Sequence, residues 1–463
     1  MQILNRGMLS RYDIPENIPA GINAVQFGME ARLLALVDRL IDDANIGMGI
    51  ACVQTDNSGF AEKLAAQDCM FTAFVRGYLN DQDVHREQVV QSILRVVDPE
   101  KDFDALTALA GDAGIALTIL DMESETVSVA LGLAAKFLVT RKKAGLPCPD
   151  FVCFGDDSDC AARARAGIAA IAASWGEDIG EWMGEGFHPA MADGLVYRSS
   201  ADEAAKLCAA MNYADSMIHI AEPYADMVIQ APESFRERFP LNRAAGVSFA
   251  DDLVPELEKK HRIFDAGLFL MAGPGYLAGC DTLYQCMKKE DLREFVGRAF
   301  FDEIIPNAPY AREEITPYVV SAFERFENPF NENGLLEAAH HLFRRFMVGA
   351  LPVVKSWANE NFEAPPLLGH ALAAAIMLYA GARPNAAGVY EVARGQQVHP
   401  IHDEPEILQA CSFLAHDMPA EALAYAALAD RNLWAGQDLR DIDGLESRVT
   451  FSISAIQQGR PLV

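Results

Sequence analysis

Lys260 is the residue of this chain whose type and setting best suit chemistry. It stands in Glu258-Lys259-Lys260-His261, just after Asp251-Asp252-Leu253-Val254-Pro255, and Asp265 follows it. An unperturbed lysine is protonated at neutral pH, so it works as a base only where its neighbours lower its pKa or take its proton. A carboxylate beside it, as Asp265 would be, does the opposite and stabilises the ammonium. The identity of its neighbours decides whether Lys260 can serve as a base.

Other reactive types are less well placed. His340-His341 falls in a helical stretch. Adjacent helical residues point about 100° apart, so the two do not readily serve one metal, and a helical surface or interdomain role is expected with no metal site. Gly273-Pro274-Gly275 follows no strand, so it reads as a helix interruption or a close-packing device rather than a phosphate loop. Gly28, after the apolar run Ala24-Val25-Gln26-Phe27, is either a nucleotide-binding or a turn glycine. Asp56, in Asp56-Asn57-Ser58-Gly59, is either a ribose-binding carboxylate or a solvated loop residue.

Composition narrows the partners. The 38 basic against 66 acidic residues leave a net charge of −28, spread along the chain, which repels phosphate backbones and anionic lipid. Nucleic acid and membrane surfaces are therefore not expected partners, and an anionic substrate would need a local basic pocket. Nine cysteines are scattered without a CxxC pair, as befits reduced thiols acting as small apolar fillers in a cytoplasmic protein. No basic start followed by a long apolar stretch marks a secretory signal. The longest apolar run, Ala371 to Ala380, is too short to span a bilayer.

At 463 residues the chain exceeds one hydrophobic core, so two domains are expected. In the first half, short strand-like runs (Ala24–Phe27, Ile50–Val53, Ile115–Leu120, Phe151–Phe154, Met227–Ile229) alternate with helical ones. Among the helical ones are Leu33, Leu36, Val37, Leu40 and Ile41 on one face, Ser128–Thr140 and Cys160–Ala173. That alternation predicts an α/β architecture, a doubly wound parallel sheet over residues 1–250. From 251 to 463 the period is helical: Ile315, Val319, Val320, Phe323 and Phe326 form a stripe stopped at Asn328-Pro329. The boundary is expected near residues 245–258.

Several stretches resemble the mannitol dehydrogenase family. They are Val228-Ile229-Gln230-Ala231-Pro232, Asp251-Asp252, Lys260, Ala278-Gly279-Cys280-Asp281-Thr282, Glu303-Ile304-Ile305-Pro306, Arg325-Phe326-Glu327-Asn328-Pro329 and Leu351-Pro352, with Gln26-Phe27-Gly28 in the first half. The resemblance implies an N-terminal Rossmann-like dinucleotide domain, an all-helical C-terminal domain, and catalysis in the cleft between them. It implies an oxidoreductase that interconverts a sugar acid or polyol and its keto form with NAD or NADP. On this reading Phe27, Gly28, Asp56 and Glu123 lie on the cofactor side. Lys260 with Asp265 and Asp159 would be catalytic, and Asn333 and Arg345 would meet substrate. A homo-oligomer is compatible with it.

The departures from the family pattern cluster at chemical positions. Glu30 stands where the family has its second glycine, and a carboxylate there would occupy the helix N-terminus and repel phosphate. Leu34 replaces an arginine, and Leu120-Asp121-Met122-Glu123 replaces an Asn-Thr run. The lysine helix keeps Lys260 but carries Asp265 and Leu268 for an asparagine and a histidine; Asp159 replaces a second asparagine. Asn333 stands for another histidine, and Gly349 for an arginine four residues after Arg345. Two further readings stay open: an isomerase, epimerase or metal-using enzyme built on the Asp159 and Asp265 carboxylates, and a pseudoenzyme without cofactor.

Overall fold

The computed structural model describes residues 1–331, 334–338 and 340–460. The chain divides into two units, Met1–Leu257 and Glu258–Val463.

The first unit is built on an eight-stranded sheet. Its strands in chain order are β1 (Ile22–Phe27), β2 (Gly49–Val53), β3 (Phe71–Leu79), β4 (Gln82–Val90), β5 (Ile93–Val97), β6 (Leu117–Asp121), β7 (Asp150–Phe154), β8 (Phe187–Asp193), β9 (Val196–Arg198), β10 (His219–Ala221), β11 (Asp226–Gln230) and β12 (Val247–Ala250). The large sheet has the order β12-β11-β8-β7-β6-β1-β2-β5, and a smaller one has the order β4-β3-β10-β9. Neighbours in the large sheet are parallel except β11 against β8.

Both faces of the large sheet are covered, which is why its central strands are mostly apolar. Ala24, Ile50 and Cys52 pack with Leu33, Leu36, Val37 and Leu40 on one side. Val25, Phe27, Ala51 and Val53 pack on the other side with residues of α2 (Val127–Lys143) and α3 (Cys160–Ser174). The first helix begins as a π-helical stretch, Arg32–Asp38, and runs on as α1 (Arg39–Ala44). The buried polar residue of β1 is Gln26, whose amide donates to Asp38 Oδ2 at 3.0 Å and to the Gly28 carbonyl at 3.3 Å. It ties the strand to the turn that follows.

The expected strands at 24–27, 50–53, 151–154 and 227–229 are all present, and the run expected at 115–120 forms β6. The hairpin β3–β4 was not foreseen. Its second strand is polar and exposed over most of its length, so it carries no apolar run.

The second unit is helical around one long rod. The chain runs from α4 (Val254–Lys260) through a π-helical stretch, His261–Asp265, into α5 (Ala266–Leu277). Further along come α6 (Arg312–Phe326), α7 (Leu342–Arg345), the π-helical stretch Phe346–Ala350, α8 (Leu351–Asn361) and α9 (Pro366–Tyr379). Gly273 lets α5 approach α9: a Cβ there would lie 2.6 Å from the Ala375 nitrogen. Gly273-Pro274-Gly275 thus works as a close-packing device. One departure from an all-helical half is a three-stranded antiparallel sheet of β13 (Arg383–Pro384), β14 (Tyr390–Arg394) and β15 (Gln397–Pro400). No helix among the described residues is long and apolar enough to cross a membrane.

Candidate active site

The long helix of the second unit places Lys260 where α4 gives way to the π-helical stretch, and Asp265 at the end of that stretch. Residues five apart fall nearly in line when a helix widens to i→i+5 bonding. Lys260 is 7% exposed and Asp265 2% exposed; the lysine Nζ donates to Asp265 Oδ2 over 3.2 Å. His261 Nε2 lies 3.8 Å from the same oxygen. The other carboxylate oxygen is taken by Arg345, whose guanidinium pairs with Asp265 Oδ1 and also donates from Nε to the His340 carbonyl at 2.8 Å. Arg345 closes α7 directly before the second π-helical stretch.

The two π-helical stretches touch. A Cβ on Gly349 would lie 2.5 Å from the His261 carbonyl oxygen and 3.2 Å from the Ala266 nitrogen, so only glycine fits between them. Arg262 reinforces the contact by donating to the Gly349 carbonyl at 3.1 Å. Gly349 therefore has a backbone reason for lacking a side chain. Leu268 is a core residue at 1% exposure. Asn333 lies outside the described residues.

Asp159 belongs to the first unit. It is exposed at the amino end of α3, makes no capping bond with its side chain, and donates its backbone N–H to Asp157 Oδ1 at 2.8 Å. Lys260, Asp265 and Arg345 thus form one cluster in the second unit, and Asp159 is a helix-end residue of the other.

In the first unit, the carboxyl ends of β1 and β6 meet at the reversal of strand order, the place where open parallel sheets bind ligands. Phe27 is buried there against Phe137, ring centroids 5.9 Å apart. Gly28 has φ +120°, a conformation L side chains rarely adopt, and a Cβ on it would overlap the Glu30 carboxylate. Glu30 is folded back over the turn. Its Oε1 accepts from Ser124 Oγ and, at 3.1 Å, from Thr126 Oγ1, while its Oε2 is buried without a hydrogen bond among the described residues. Thr126 Oγ1 lies 2.7 Å from Thr55 Oγ1, which links the end of β2 to this network.

Beside it, Arg32 spans to Asp121 at the end of β6, with Nε 2.8 Å from Oδ2. The paired carboxylate holds the guanidinium firmly charged in spite of burial. Glu123 accepts from the Asp156 N–H at 3.3 Å and so joins the loops after β6 and β7. Asp56 folds its carboxylate onto Ser58, accepting from the backbone N–H at 3.1 Å and from Oγ at 2.6 Å. The Arg32–Asp121 pair and the Ser124 and Thr126 hydroxyls were missed in the sequence. Their one signal was position, since polar residues just past an apolar strand of a parallel sheet face the ligand crevice.

The family model of the mannitol dehydrogenase C-terminal domain matches residues 252–457, the stretch that holds Lys260, Asp265 and Arg345. Over that stretch the chain is similar to the mannitol dehydrogenase C-terminal domain. An altronate oxidoreductase of Yersinia pestis is 27% identical over 495 aligned residues, covering 98% of this chain and 97% of the relative. Among solved structures, the Pseudomonas fluorescens mannitol 2-dehydrogenase ternary complex with NAD and D-mannitol matches 99% of this chain and 97% of its own. Its TM-score is 0.77 at 17% identity. A D-sorbitol dehydrogenase in substrate-free form covers 99% of each chain with a TM-score of 0.73 and 17% identity. At that identity the two structures speak for the fold alone. Both halves of the chain have the mannitol dehydrogenase fold, a Rossmann-like sheet followed by a helical region.

Proposed function

We propose that this chain is an oxidoreductase of the mannitol dehydrogenase type, similar to altronate oxidoreductase (tagaturonate reductase), that interconverts a sugar acid or polyol with its keto form using NAD or NADP. The carrying observation is the buried pair Lys260 and Asp265 held by the half-buried Arg345 inside the matched domain. The near-complete coverage of an altronate oxidoreductase supports a sugar acid.

The backbone suits a dinucleotide. The β1 and β6 ends lie at the reversal of strand order, and Gly28 turns with positive φ into the first helix. The Glu30 carboxylate occupies that turn, so binding requires it to swing off Ser124 and Thr126. A bound reduced nicotinamide supplies a hydride to the substrate carbonyl carbon.

The proton is the task of Lys260. Asp265 favours the ammonium form, so Lys260 is suited to protonate the developing alkoxide during reduction more than to remove a proton during oxidation. The carbonyl oxygen becomes a hydroxyl, and the neutral amine regains its proton from solvent. Lys260 and Arg345 both pair with the Asp265 carboxylate. In a chain whose net charge is −28, an anionic sugar acid needs local cations of this kind. All nine cysteines are unpaired, which supports a reducing, cytoplasmic setting.

One observation favours a nucleotide-free proton-transfer enzyme instead: the carboxylate of Glu30 in the phosphate position. Fluorescence titration with NADH and NADPH separates the two. The oxidoreductase reading expects saturable binding of one of them and its oxidation on addition of a keto sugar acid. Absence of binding to both wild-type protein and Glu30→Gly would overturn it.

A further inference from the structure

Outside the trio, one cluster of ligating side chains has no role in the proposed reaction. His341 precedes α7 with φ +57°, in the left-handed region. The loop after β15 brings Asp403 and Glu404 against it. Nδ1 of His341 lies 2.9 Å from Glu404 Oε1 and 3.9 Å from Asp403 Oδ1. One donor atom from each of the three residues falls within 4.8 Å of the others.

We propose that His341, Asp403 and Glu404 bind one divalent transition-metal cation of the manganese or zinc kind. The donor set is one imidazole nitrogen and two carboxylates, a combination that suits such ions. The orientation of the groups fits a shared cation better than an ion pair. Although His341 Nδ1 and Glu404 are close, neither Nδ1 nor Glu404 Oε2 completes a hydrogen bond among the described residues, and both atoms are buried. Two polar atoms buried and unbonded cost free energy that a cation between them would recover. Asp403, with its side chain fully buried, is already fixed for the task. Tyr379 Oη donates to Oδ2 at 2.7 Å and the Glu404 N–H to Oδ1 at 2.9 Å, as outer partners orient metal-binding carboxylates.

The site is tied to the candidate active site through the chain itself. His340, next to the ligand His341, accepts from Arg345 Nε through its carbonyl, and Arg345 holds Asp265. A cation here would fix residues 340–345 and with them the guanidinium. The inference does not rest on the proposed reaction.

The test uses full-length protein treated with a chelator and then titrated with Mn²⁺, which prefers oxygen and nitrogen donors over the nine thiols. Free Mn²⁺ is read by its electron paramagnetic resonance signal. The expected result is one tight site per chain, weakened at least about tenfold in Glu404→Gln and in His341→Ala. Unfolding curves without metal identify any variant that has lost its fold, and the conservative Glu404→Gln then decides alone. No saturable Mn²⁺ binding to wild-type protein, or affinity unchanged in folded Glu404→Gln, overturns the proposal.

Discussion

Lys260 and Asp265, five residues apart on one helix, lie with Nζ and Oδ2 3.2 Å apart because the helix widens between them. An uninterrupted α-helix would turn those side chains well away from each other. The widened stretch thus converts a local sequence spacing into a buried ion pair, and that pair sets the direction in which the lysine moves protons.

Replacing Lys260 by alanine should lower kcat for keto-acid reduction by about 10²- to 10⁴-fold, the usual worth of a positioned proton donor. Asp265→Asn should act differently. Without the carboxylate the ammonium loses its proton at lower pH, so the alkaline fall of the reductive rate moves to lower pH by about 1 unit or more. A pH profile of kcat measures this directly, and an unmoved limb would deny Asp265 its influence on the lysine.

Glu30 opposes a dinucleotide in two ways, by filling the turn and by its charge. Glu30→Gln keeps the size and removes the charge, whereas Glu30→Gly removes both. If occupancy dominates, only the glycine variant should gain affinity, by about tenfold, or ~1.4 kcal/mol. If charge dominates, both should gain. Fluorescence titration of the two variants with NADH and NADPH tells them apart.

Gly349→Ala should destabilise the second unit by about 1–3 kcal/mol, the usual cost of forcing a methyl group into a filled space. The added carbon would meet the His261 carbonyl at 2.5 Å, and backbone cannot give way as a side chain can. Urea unfolding monitored by tryptophan fluorescence should show a lower midpoint. An unchanged midpoint would mean that the two π-helical stretches are not in firm contact.

His219 offers a pH test of the first unit. It is buried, donates from Nδ1 to the Met217 carbonyl at 2.7 Å, and packs edge-on against Phe71. Burial holds it neutral and lowers its pKa from 6.5 to about 4. Above pH 6.5 the folded and unfolded chains are both neutral at this group and its stabilisation is complete. As pH falls from 6.5 towards 4 the unfolded chain takes up the proton first, and stability falls by about 3 kcal/mol from this group. Denaturant midpoints across that range should drop less steeply in His219→Gln, which has nothing to titrate there.

Much of the scaffold was legible because burial on two faces writes itself into residue order. Val25 and Phe27 face one layer and Ala24 the other, and the run announces a central strand. The helical stripe did the same for α6 through Ile315, Val319 and Phe326, whereas Val320, expected in it, is exposed. Elements that bury little were invisible. β4 reads Gln-Asp-Val-His-Arg-Glu-Gln before its first buried residue, and the strands β13 to β15 are short and bury only Val392. The π-helical stretches were invisible for another reason: 261–265 and 346–350 carry ordinary helical residues, and only the folded chain brings the two together at Gly349.

The amino-acid sequence by itself determined the two-part architecture, the turn at Gly28 and the presence of Lys260, since these follow from local periodicity and from single residues with restricted conformations. Tertiary structure alone decided which charges meet. Arg345 reaches Asp265 across 80 positions, and the loop at 403–404 reaches His341 after a separate sheet intervenes. Such pairings depend on how helices pack, and packing is set by the summed fit of many apolar side chains, which no single spacing in the chain records.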